Sequence, residues 1–376
     1  MASRTSDVLI IGGGLQGLST ALQLSRRGYS VRLLESEYCG RHSSGVNAGG
    51  VRTLGRHPAE IPLSLVARDK YWHHLQEHIG HDGGFVPSGQ LNLAENEKDV
   101  IAAKQRIAEV NALGFTHEIW IDQKEVRELV PSISNHVVGA IWVEKDGYAY
   151  PYHVVTWFRR SAEAAGTTIH EQCRVHKIWY QDGVWNALSD QGQFQAPKLV
   201  NTAGAWGSEF ARQAGNPVPL KPDGLMLMVT QRVAPFVKPV LGAIGRALSF
   251  KQYGNGTVVI GGTLPCKANV TERHAIVDVT VLKNSAITVT DLFPHLRNMQ
   301  VVRAWGGVEG FMPDLIPVIG PGTAFPDIFH AFGFSAHGFE LSPVIGEIMA
   351  DLVETGQSSL PIAPFRIDRF NHKEES

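Results

Sequence analysis

The first 35 residues carry apolar positions whose period changes twice, and this predicts a strand, a helix and a second strand. Val8 to Ile11 is a short apolar run, and the motif Gly12-x-Gly14-x-x-Gly17 follows it directly. Apolar residues then recur at helical spacing up to Gly28, and a second apolar run, Val31 to Leu34, ends at Glu35. A short apolar strand, a glycine-rich turn, a helix and a second strand that ends in an acid are typical of a parallel α/β unit.

The rest of the chain continues this pattern and then changes it. Helices are predicted at 60–79, 97–114, 124–129 and 152–165, and strands at 90–94, 137–143 and 168–170. A hairpin at 175–179 and 184–188 precedes an apolar strand from Leu199 that ends in small residues. Strands then dominate, at 224–232, 246–253, 257–262 and 300–305, with one helix near 276–293. The last segment returns to a strand, a glycine-rich turn and a helix that is expected to begin at Pro343.

This order predicts an α/β protein with a discontinuous nucleotide-binding domain. That domain is expected to be Rossmann-like and to comprise residues 1–85, 140–215 and 315–376. A second, mainly antiparallel β domain with flanking helices, at 86–139 and 216–314, is expected to be inserted into it and to shape the substrate site. With 376 residues, of which 43% are hydrophobic, the chain is long enough for two cores.

Each glycine of the first motif has a mechanical reason. Gly12 permits a tight turn, Gly14 lets the backbone approach a pyrophosphate, and Gly17 lets the helix pack closely on the strand. The free N–H groups and the positive dipole end of the helix favour phosphate at this point. Glu35, 21 residues after Gly14, is expected to bind ribose hydroxyls and would repel the 2′-phosphate of NADP. The motif alone leaves the choice between NAD and FAD open.

Composition excludes several other classes of protein. The net charge of −2 gives no basic field for nucleic acid. The three cysteines lie far apart in sequence, so no disulfide framework, iron–sulfur cluster or zinc site is expected. The six residues before Asp7 are too few for a signal peptide, and no run reaches the length of a membrane span. A cytoplasmic location is therefore expected.

Five sequence blocks together resemble the FAD-dependent oxidoreductases of the D-amino acid oxidase type. In order they are DVLIIGGGLQG, SSGVNAGGVR, DGYAYPYHVV, LVNTAGAW, and RAWGGVEGFMPDLIPVIG followed by GFSAHGFELSPVIGE. The resemblance covers nearly the whole chain. The relatives that share these blocks include glycine oxidase, sarcosine oxidase and the β-subunits of multi-subunit amine dehydrogenases. It implies FAD rather than NAD and oxidation of the C–N bond of an amino acid or a secondary amine.

The resemblance also implies which residues bind FAD. The residues that line the pyrophosphate would be Gly12, Gly14, Leu15 and Gln16. Glu35 would bind the ribose, and the backbone of Val175 would contact the adenine. Those that border the phosphates, the ribityl chain and the flavin would be Ser43, Ser44, Gly49, Gly50, Ala203, Gly204 and Trp206. Those that close over the isoalloxazine would be Gly333, His337, Gly338 and Phe339. Backbone N–H groups at a helix start would stabilise the negative charge of reduced flavin there.

Two positions depart from the family pattern. Where several relatives carry a carboxylate-binding arginine, this chain has Glu309, and where others carry a lysine it has Glu340. Two acids near the expected pocket suggest a substrate with a cationic group, or a carboxylate held elsewhere, with Arg52 and Arg56 as candidate anchors. The alternatives are that Glu309 and Glu340 are structural carboxylates and that Arg52 contacts FAD phosphate or the main chain.

Three titratable residues are candidates for a direct catalytic role. They are His337, Tyr253 and His42, and each has a purely structural role as its alternative. His42 has the further alternative of covalent attachment to the flavin, since some relatives use a histidine in this region. Amine oxidation by flavin needs a neutral amine, a C–H bond aimed at the flavin and exclusion of water, so a dedicated base is optional.

The functional interpretations differ in what accepts the electrons from the reduced flavin, either O2 or a partner subunit. The SSGVNAGGVR form is similar to the β-subunits of opine oxidases and D-hydroxyproline dehydrogenases, which implies flavoprotein and iron–sulfur partner subunits. Octopine and nopaline are secondary amines with an arginine moiety, which suits an acid at 309 or 340. The alternatives are a D-hydroxyproline dehydrogenase subunit, a self-sufficient glycine, sarcosine or D-amino acid oxidase, and a non-catalytic flavin-binding subunit.

Overall fold

The computed structural model of the protein describes residues 4–370, with residues 262 and 263 described by their backbone alone. The strands are β1 (Val8–Ile11), β2 (Val31–Leu34), β3 (Gly50–Val51), β4 (Gln90–Ala94), β5 (Ile119–Asp122), β6 (Gly139–Val143), β7 (Gly147–Tyr148), β8 (Thr168–His170), β9 (Val175–Gln181), β10 (Val184–Ser189), β11 (Gly192–Ala196), β12 (Lys198–Asn201), β13 (Lys221–Thr230), β14 (Val240–Ala243), β15 (Phe250–Gln252), β16 (Val258–Asn269), β17 (His274–Ile276), β18 (Val301–Phe311), β19 (Val318–Pro321) and β20 (Ile328–Phe332). The α-helices are α1 (Leu15–Arg26), α2 (Ser43–Val46), α3 (Ile61–Val66), α4 (Leu75–Ile79), α5 (Glu97–Ala112), α6 (Gln123–Leu129), α7 (Pro151–Ala164), α8 (Gly207–Gln213), α9 (Val279–Leu292) and α10 (Gly338–Thr355).

The first sheet has the strand order β19-β20-β12-β1-β2-β8, and all neighbouring pairs except β19 with β20 are parallel. Strand β1, in the middle of this sheet, is buried on both faces. Val8 and Ile10 pack in a core with α1, α7 and α10, whereas Leu9 and Ile11 pack against the antiparallel layer β9-β10-β11. The result is the parallel α/β unit that the first 35 residues predict, with helices on one face of the sheet and the antiparallel layer on the other.

The second sheet is mostly antiparallel and has the strand order β18-β13-β16-β15-β14-β4-β6-β5, with β17 paired to β16. Alternate residues of its strands face opposite sides. Met226, Met228, Leu241 and Phe250 pack in a core with α9, which covers one face. The other face lies towards the parallel sheet. The predicted fold class is confirmed: a Rossmann-like unit is combined with a mainly antiparallel β unit and flanking helices.

Two predicted strands differ from the structure, one in its pairing and one in its length. The strand expected at 137–143 forms at Gly139–Val143, but it pairs with β4 and β5 in the mixed sheet and not in the parallel sheet. The strand expected at 246–253 shortens to Phe250–Gln252, and the separate strand β14 precedes it. The domain boundaries given above stay a prediction, and their last six residues, 371–376, lie outside the described residues.

The final helix does not begin at Pro343. It begins at Gly338 and contains Pro343 in its interior. A proline there leaves one carbonyl without its helical N–H donor. The hydroxyl of Ser342 donates to the Phe339 carbonyl at 2.9 Å, which replaces the missing bond. The free N–H groups of the helix start therefore lie directly in the turn after β20.

No helix within residues 4–370 combines the length and the apolar character that crossing a membrane requires.

The packing of α1 on β1 depends on Gly17. A Cβ at this position would lie 2.0 Å from the carbonyl oxygen of Gly12 and 2.7 Å from the Thr202 hydroxyl. We expect Gly17→Ala to lower the free energy of unfolding by about 1–3 kcal/mol, because the helix must move away from the strand. Thermal unfolding measures the change. Gly254→Ala is the matched control, since a Cβ there meets nothing within 4 Å, and equal melting temperatures for the two variants would contradict the account.

Candidate active site

The glycine-rich turn joins β1 to α1 at the carboxyl edge of the parallel sheet. Gly12 has a φ of +105°, and a Cβ there would lie 2.5 Å from the Thr202 carbonyl oxygen. Gly14 is the N-cap of α1 and offers no side-chain cap to the helix. The N–H of Leu15 donates to the Ser44 hydroxyl at 2.9 Å, and the Gln16 amide donates to the Gly338 carbonyl at 2.7 Å. The first turn of α1 therefore contacts both of the other glycine-rich segments.

Glu35 lies at the end of β2 and is only 7% exposed. Its Oε2 accepts the N–H of Gly13 at 2.7 Å, and its Oε1 accepts the N–H of Glu37 at 2.8 Å and the Ser36 hydroxyl at 3.0 Å. The carboxylate thus fixes the turn before it meets any ligand. A role in binding ribose stays a prediction.

Two adjoining cavities follow this edge. The smaller, of about 100 Å³, includes most of the predicted pyrophosphate, ribose and adenine residues, and the larger has a volume of about 500 Å³. From the predicted set the smaller is lined by Gly12, Gly14, Glu35, Val175, Ala203 and Trp206. Residues common to both cavities are Gln16, Ser43, Ser44, Thr202 and Gly204. The two spaces therefore form one path from the carboxylate of Glu35 to the mixed sheet.

The larger cavity has a floor of two segments. One is the 43–56 segment, where the Asn47 amide donates to the carbonyls of Ser43 and Ser44 and its oxygen accepts the N–H of Gly49 at 2.6 Å. Buried Asp146 holds the end of this segment by accepting N–H groups of Thr53 and Leu54. The other is the turn from Gly333 to Phe339, before and into α10. Gly49, Gly50, Gly333, His337, Gly338 and Phe339 all line this cavity.

The roof of the larger cavity is the open face of the mixed sheet. The strand register places Leu225 opposite Gly307 and Leu227 opposite Trp305. Ser249 and Lys251 flank Phe250, which points into the core on the other face, so both lie on the cavity side. The remaining roof residues, from β4, β14 and β18, include Gln90, Asn92, Val240, Gly242 and Glu309.

Glu309 reaches this cavity without a cationic partner among the described residues. Burial raises the pKa of its carboxyl to about 7, although the N–H of Ala336 favours the ionised form. The side chain is partly buried and lines the cavity. It is therefore placed to pair with a cationic ligand group.

Glu340 has a different position from Glu309. It is fully buried, and its Oε2 accepts Arg56 Nη2 and the Ser64 hydroxyl, both at 3.1 Å. Burial raises the pKa of Glu340 to about 8, and Arg56 opposes this shift. Glu340 is absent from the cavity wall, so it contacts a ligand there only if its pairing with Arg56 opens.

Arg52 lines the cavity and donates to the Leu54 carbonyl at 3.0 Å. Burial and the charge of Arg56 lower the pKa of Arg52 to about 10, so the guanidinium stays charged at neutral pH. Its position in the cavity wall suits either predicted role, contact with a substrate carboxylate or with FAD.

His337 forms a dyad with Glu60. Its Nδ1 lies 3.0 Å from Oε2 of Glu60, which is fully buried. Burial and the nearby Arg56 lower the pKa of His337 to about 4, so the imidazole is neutral at pH 7. With Nδ1–H donated to Glu60, Nε2 is the proton acceptor. Sequence reasoning missed Glu60, which no motif marks.

Tyr253 and His42 lie outside the larger cavity. The Tyr253 hydroxyl is 3.5 Å from the Ala48 carbonyl, its ring stacks on Tyr150, and burial raises its pKa. His42 lines the smaller cavity, beside Trp206 at a ring-centroid distance of 4.6 Å and 3.1 Å from Glu37. Neither is brought together with Glu309 or His337.

Two cations that sequence reasoning missed line the cavities. Arg273, in the turn between β16 and β17, lies over the Trp206 ring at 5.1 Å and lines the smaller cavity. Lys251 is 2% exposed and lines the larger one, and burial lowers its pKa to about 7. Lys251 is next to Phe250 in a strand, so the sequence indicates that the two side chains point to opposite faces of the sheet. This identifies Lys251 as a cavity residue only when that second face is known to form a cavity.

This arrangement fits FAD. The cradle has no room for a side chain at Gly12, and a Cβ at Gly14 would press on the Ser44 hydroxyl at 3.0 Å. The start of α10 leaves N–H groups at the floor of the larger cavity. A dinucleotide long enough to extend from Glu35 to the mixed sheet would occupy both cavities. Fold and site together define a flavin-dependent oxidoreductase of the Rossmann-like type.

Comparison with known proteins agrees with this class. The family model DAO, described as FAD dependent oxidoreductase, matches residues 7–352. The chain is 26% identical to the sarcosine oxidase subunit beta of Arthrobacter sp., over 98% of this chain and 91% of that protein. Glycine oxidase from Geobacillus kaustophilus superposes with a TM-score of 0.89 at 23% identity, covering 97% of this chain and 99% of that one. L-proline dehydrogenase from P. horikoshii gives 0.88 at 24% identity, covering 98% of both.

The chain therefore belongs to the DAO family of FAD-dependent oxidoreductases. The resemblance stated from the five sequence blocks is confirmed, as are FAD as the cofactor and an enzyme class that acts on the C–N bonds of amines or amino acids. The individual residue roles stay predictions.

Loss of the Glu35 carboxylate is expected to weaken FAD binding. Glu35→Ala leaves the Gly13 and Glu37 N–H groups without their acceptor, and each orphaned donor costs about 1–3 kcal/mol. The turn of the apoprotein then relaxes to satisfy these donors, and FAD must reorder it on binding. We expect the dissociation constant for FAD to rise about tenfold or more. It is measured by fluorescence titration of the apoprotein, with Glu144→Ala as an exposed carboxylate control. An unchanged FAD affinity in Glu35→Ala would contradict this account, because the β1–α1 turn would then bind FAD without the Glu35 carboxylate.

Proposed function

We propose that the chain is the catalytic β-type subunit of an opine dehydrogenase complex that oxidises a secondary amine such as octopine or nopaline. The observation that carries this proposal is Glu309, a partly buried carboxylate that faces the larger cavity with no cationic partner among the described residues. A guanidinium binds a carboxylate with two parallel hydrogen bonds, so an arginine-derived substrate would satisfy it.

The chemistry requires little from the side chains. Oxidation of a CH–NH unit removes two electrons and two protons and gives an imine, which water hydrolyses to a carbonyl compound and an amine. FAD, when bound, accepts the electrons. The amine must be neutral to react, and a base with a pKa of about 4 does not deprotonate an ammonium, so the substrate has to bind as the free amine. Neutral His337, oriented by Glu60, offers its Nε2 as a hydrogen-bond acceptor to that amine. The roof leucines Leu225 and Leu227 help to exclude water.

Partner subunits are part of this proposal. The similarity to a sarcosine oxidase subunit beta over 98% of this chain supports a multi-subunit assembly. Among the described residues the cysteines Cys39, Cys173 and Cys266 are all free and buried, and they form no cluster that would relay electrons. We therefore place the relay on flavoprotein and iron–sulfur partners.

A second candidate is a self-sufficient amino-acid oxidase. It is favoured by the match to 99% of the length of a glycine oxidase chain. The two candidates differ in one observable, because only a self-sufficient oxidase makes hydrogen peroxide rapidly as an isolated chain.

A substrate panel tests the proposal. The chain, purified with its co-expressed partners, is assayed with an artificial electron acceptor on octopine, nopaline, D-hydroxyproline, sarcosine and glycine. The proposal predicts the highest kcat/KM with octopine or nopaline. Oxidation of sarcosine or glycine alone would overturn it, and rapid peroxide formation by the isolated chain would favour the second candidate.

Glu309→Gln is expected to discriminate between substrates. The variant keeps the shape and loses the charge, so the KM for octopine should rise roughly tenfold to a hundredfold, the cost of a lost charge-assisted hydrogen bond. The KM for sarcosine should change little. Steady-state kinetics measures both, with Glu144→Gln as an exposed control. Equal effects of Glu309→Gln on the two substrates would remove Glu309 from substrate recognition.

A further inference from the structure

The roof of the larger cavity carries a second charged side chain that lacks a counter-ion. Lys251 is 2% exposed, and among residues 4–370 its Nζ makes no ion pair or hydrogen bond. Its contacts are the rings of Tyr148 and Tyr253, at 5.4 and 5.8 Å from the centroids. These cation–π contacts compensate only part of the cost of removing an ammonium from water.

An independent observation at the same place also indicates a polar ligand. Gln90 is 7% exposed and lines the cavity, and its side-chain amide makes no hydrogen bond among the described residues, so its two N–H donors are available to a carboxylate. The pairing of Leu241 with Phe250 sets Lys251 opposite Val240, and Val240 pairs with Gln90. Lys251 and Gln90 thus flank Val240 in one row across three strands, and Ser249 and Asn92 flank Gly242 in the next row.

Lys251 and Glu309 lie at separated positions on the roof. The order β15-β16-β13-β18 puts three strand spacings between them, roughly 14 Å across the sheet. Lys251 is in register with Val259, Val229 and Arg303, and Glu309 is six residues further along β18, which adds roughly 20 Å along the strands. A bend in the sheet and the reach of the side chains shorten this path. Lys251 and Glu309 therefore lie towards different ends of the roof.

We infer that Lys251, with Gln90, Asn92 and Ser249, forms an anion subsite that binds a carboxylate of the substrate at the end of the cavity away from Glu309. The substrate class is then a two-ended amine, with a carboxylate for Lys251 and a cationic group for Glu309. The identity of the cationic end rests on the proposed function. The anion subsite itself does not.

The subsite is tested by ligand binding without turnover. The probe is succinate, with neutral succinamide as its matched control, and the dissociation constant is taken from the change in the flavin spectrum of the FAD-loaded chain. The variants are Lys251→Met, which keeps the length and removes the charge, and Lys251→Arg, which keeps the charge. We expect succinate to bind at least about tenfold more weakly to Lys251→Met and within about threefold of the unsubstituted affinity to Lys251→Arg. Succinamide should not distinguish the variants.

Thermal unfolding excludes a purely structural role. Removal of an unpaired buried charge should leave the melting temperature of Lys251→Met equal or higher, whereas a lysine needed for folding would lower it. The inference is overturned if succinate binds Lys251→Met as tightly as the unsubstituted chain, or if succinate does not bind at all. It is also overturned if Lys251→Met loses FAD while the remaining holoprotein keeps its succinate affinity, since Lys251 would then serve the cofactor. If no opine is oxidised but succinate binding depends on Lys251, the proposed function fails and the subsite stands.

Discussion

The backbone contact between the β1–α1 turn and the end of β12 is the constraint on which the rest of the structure depends. Gly12 and Gly17 leave no space for side chains against Thr202, so α1 starts at one fixed point on the sheet edge. From its first turn, the N–H of Leu15 bonds Ser44 and the Gln16 amide bonds Gly338. Both floor segments of the larger cavity are therefore held by the same helical turn that offers its N–H groups to phosphate. One close approach thus sets the cofactor cradle and the cavity floor together.

The buried charged side chains divide into those that have partners within the protein and those that are available to a ligand. Arg56 and Glu340 form a buried pair, although Arg56 Nη1 and Glu340 Oε1 have no hydrogen-bond partner among the described residues. Asp146 accepts hydrogen bonds from Thr53, Leu54 and Arg68, so these groups are engaged within the protein. Glu309 and Lys251 face the cavity and lack such partners among the described residues. Burying an unpaired charge is unfavourable, and folds retain such groups mainly where binding or catalysis needs them. Burial without a counter-ion raises the pKa of Glu309 and lowers the pKa of Lys251.

The sequence predicted the parallel α/β unit well because its signals are local. A strand, a glycine turn and a helix within 35 residues leave few alternatives, and the family blocks extended this to the cofactor. The pairing of β6 and the position of Lys251 were missed because both depend on contacts between strands far apart in sequence. The start of α10 was misplaced because Ser342 replaces the hydrogen bond that Pro343 removes, an effect that no propensity records. Glu60 was missed because its role comes from His337, 277 residues away.

The central claim is that FAD occupies both cavities and leaves Glu309 and Lys251 facing open space under the roof. A crystal structure of the FAD-loaded chain tests this most directly. The account predicts the adenosine end beside Glu35 and the isoalloxazine over the Gly333–Phe339 turn, with both roof charges still free of protein partners. An isoalloxazine located elsewhere would contradict the account. So would a structure in which the bound cofactor fills the space below the roof and pairs directly with Lys251 or Glu309.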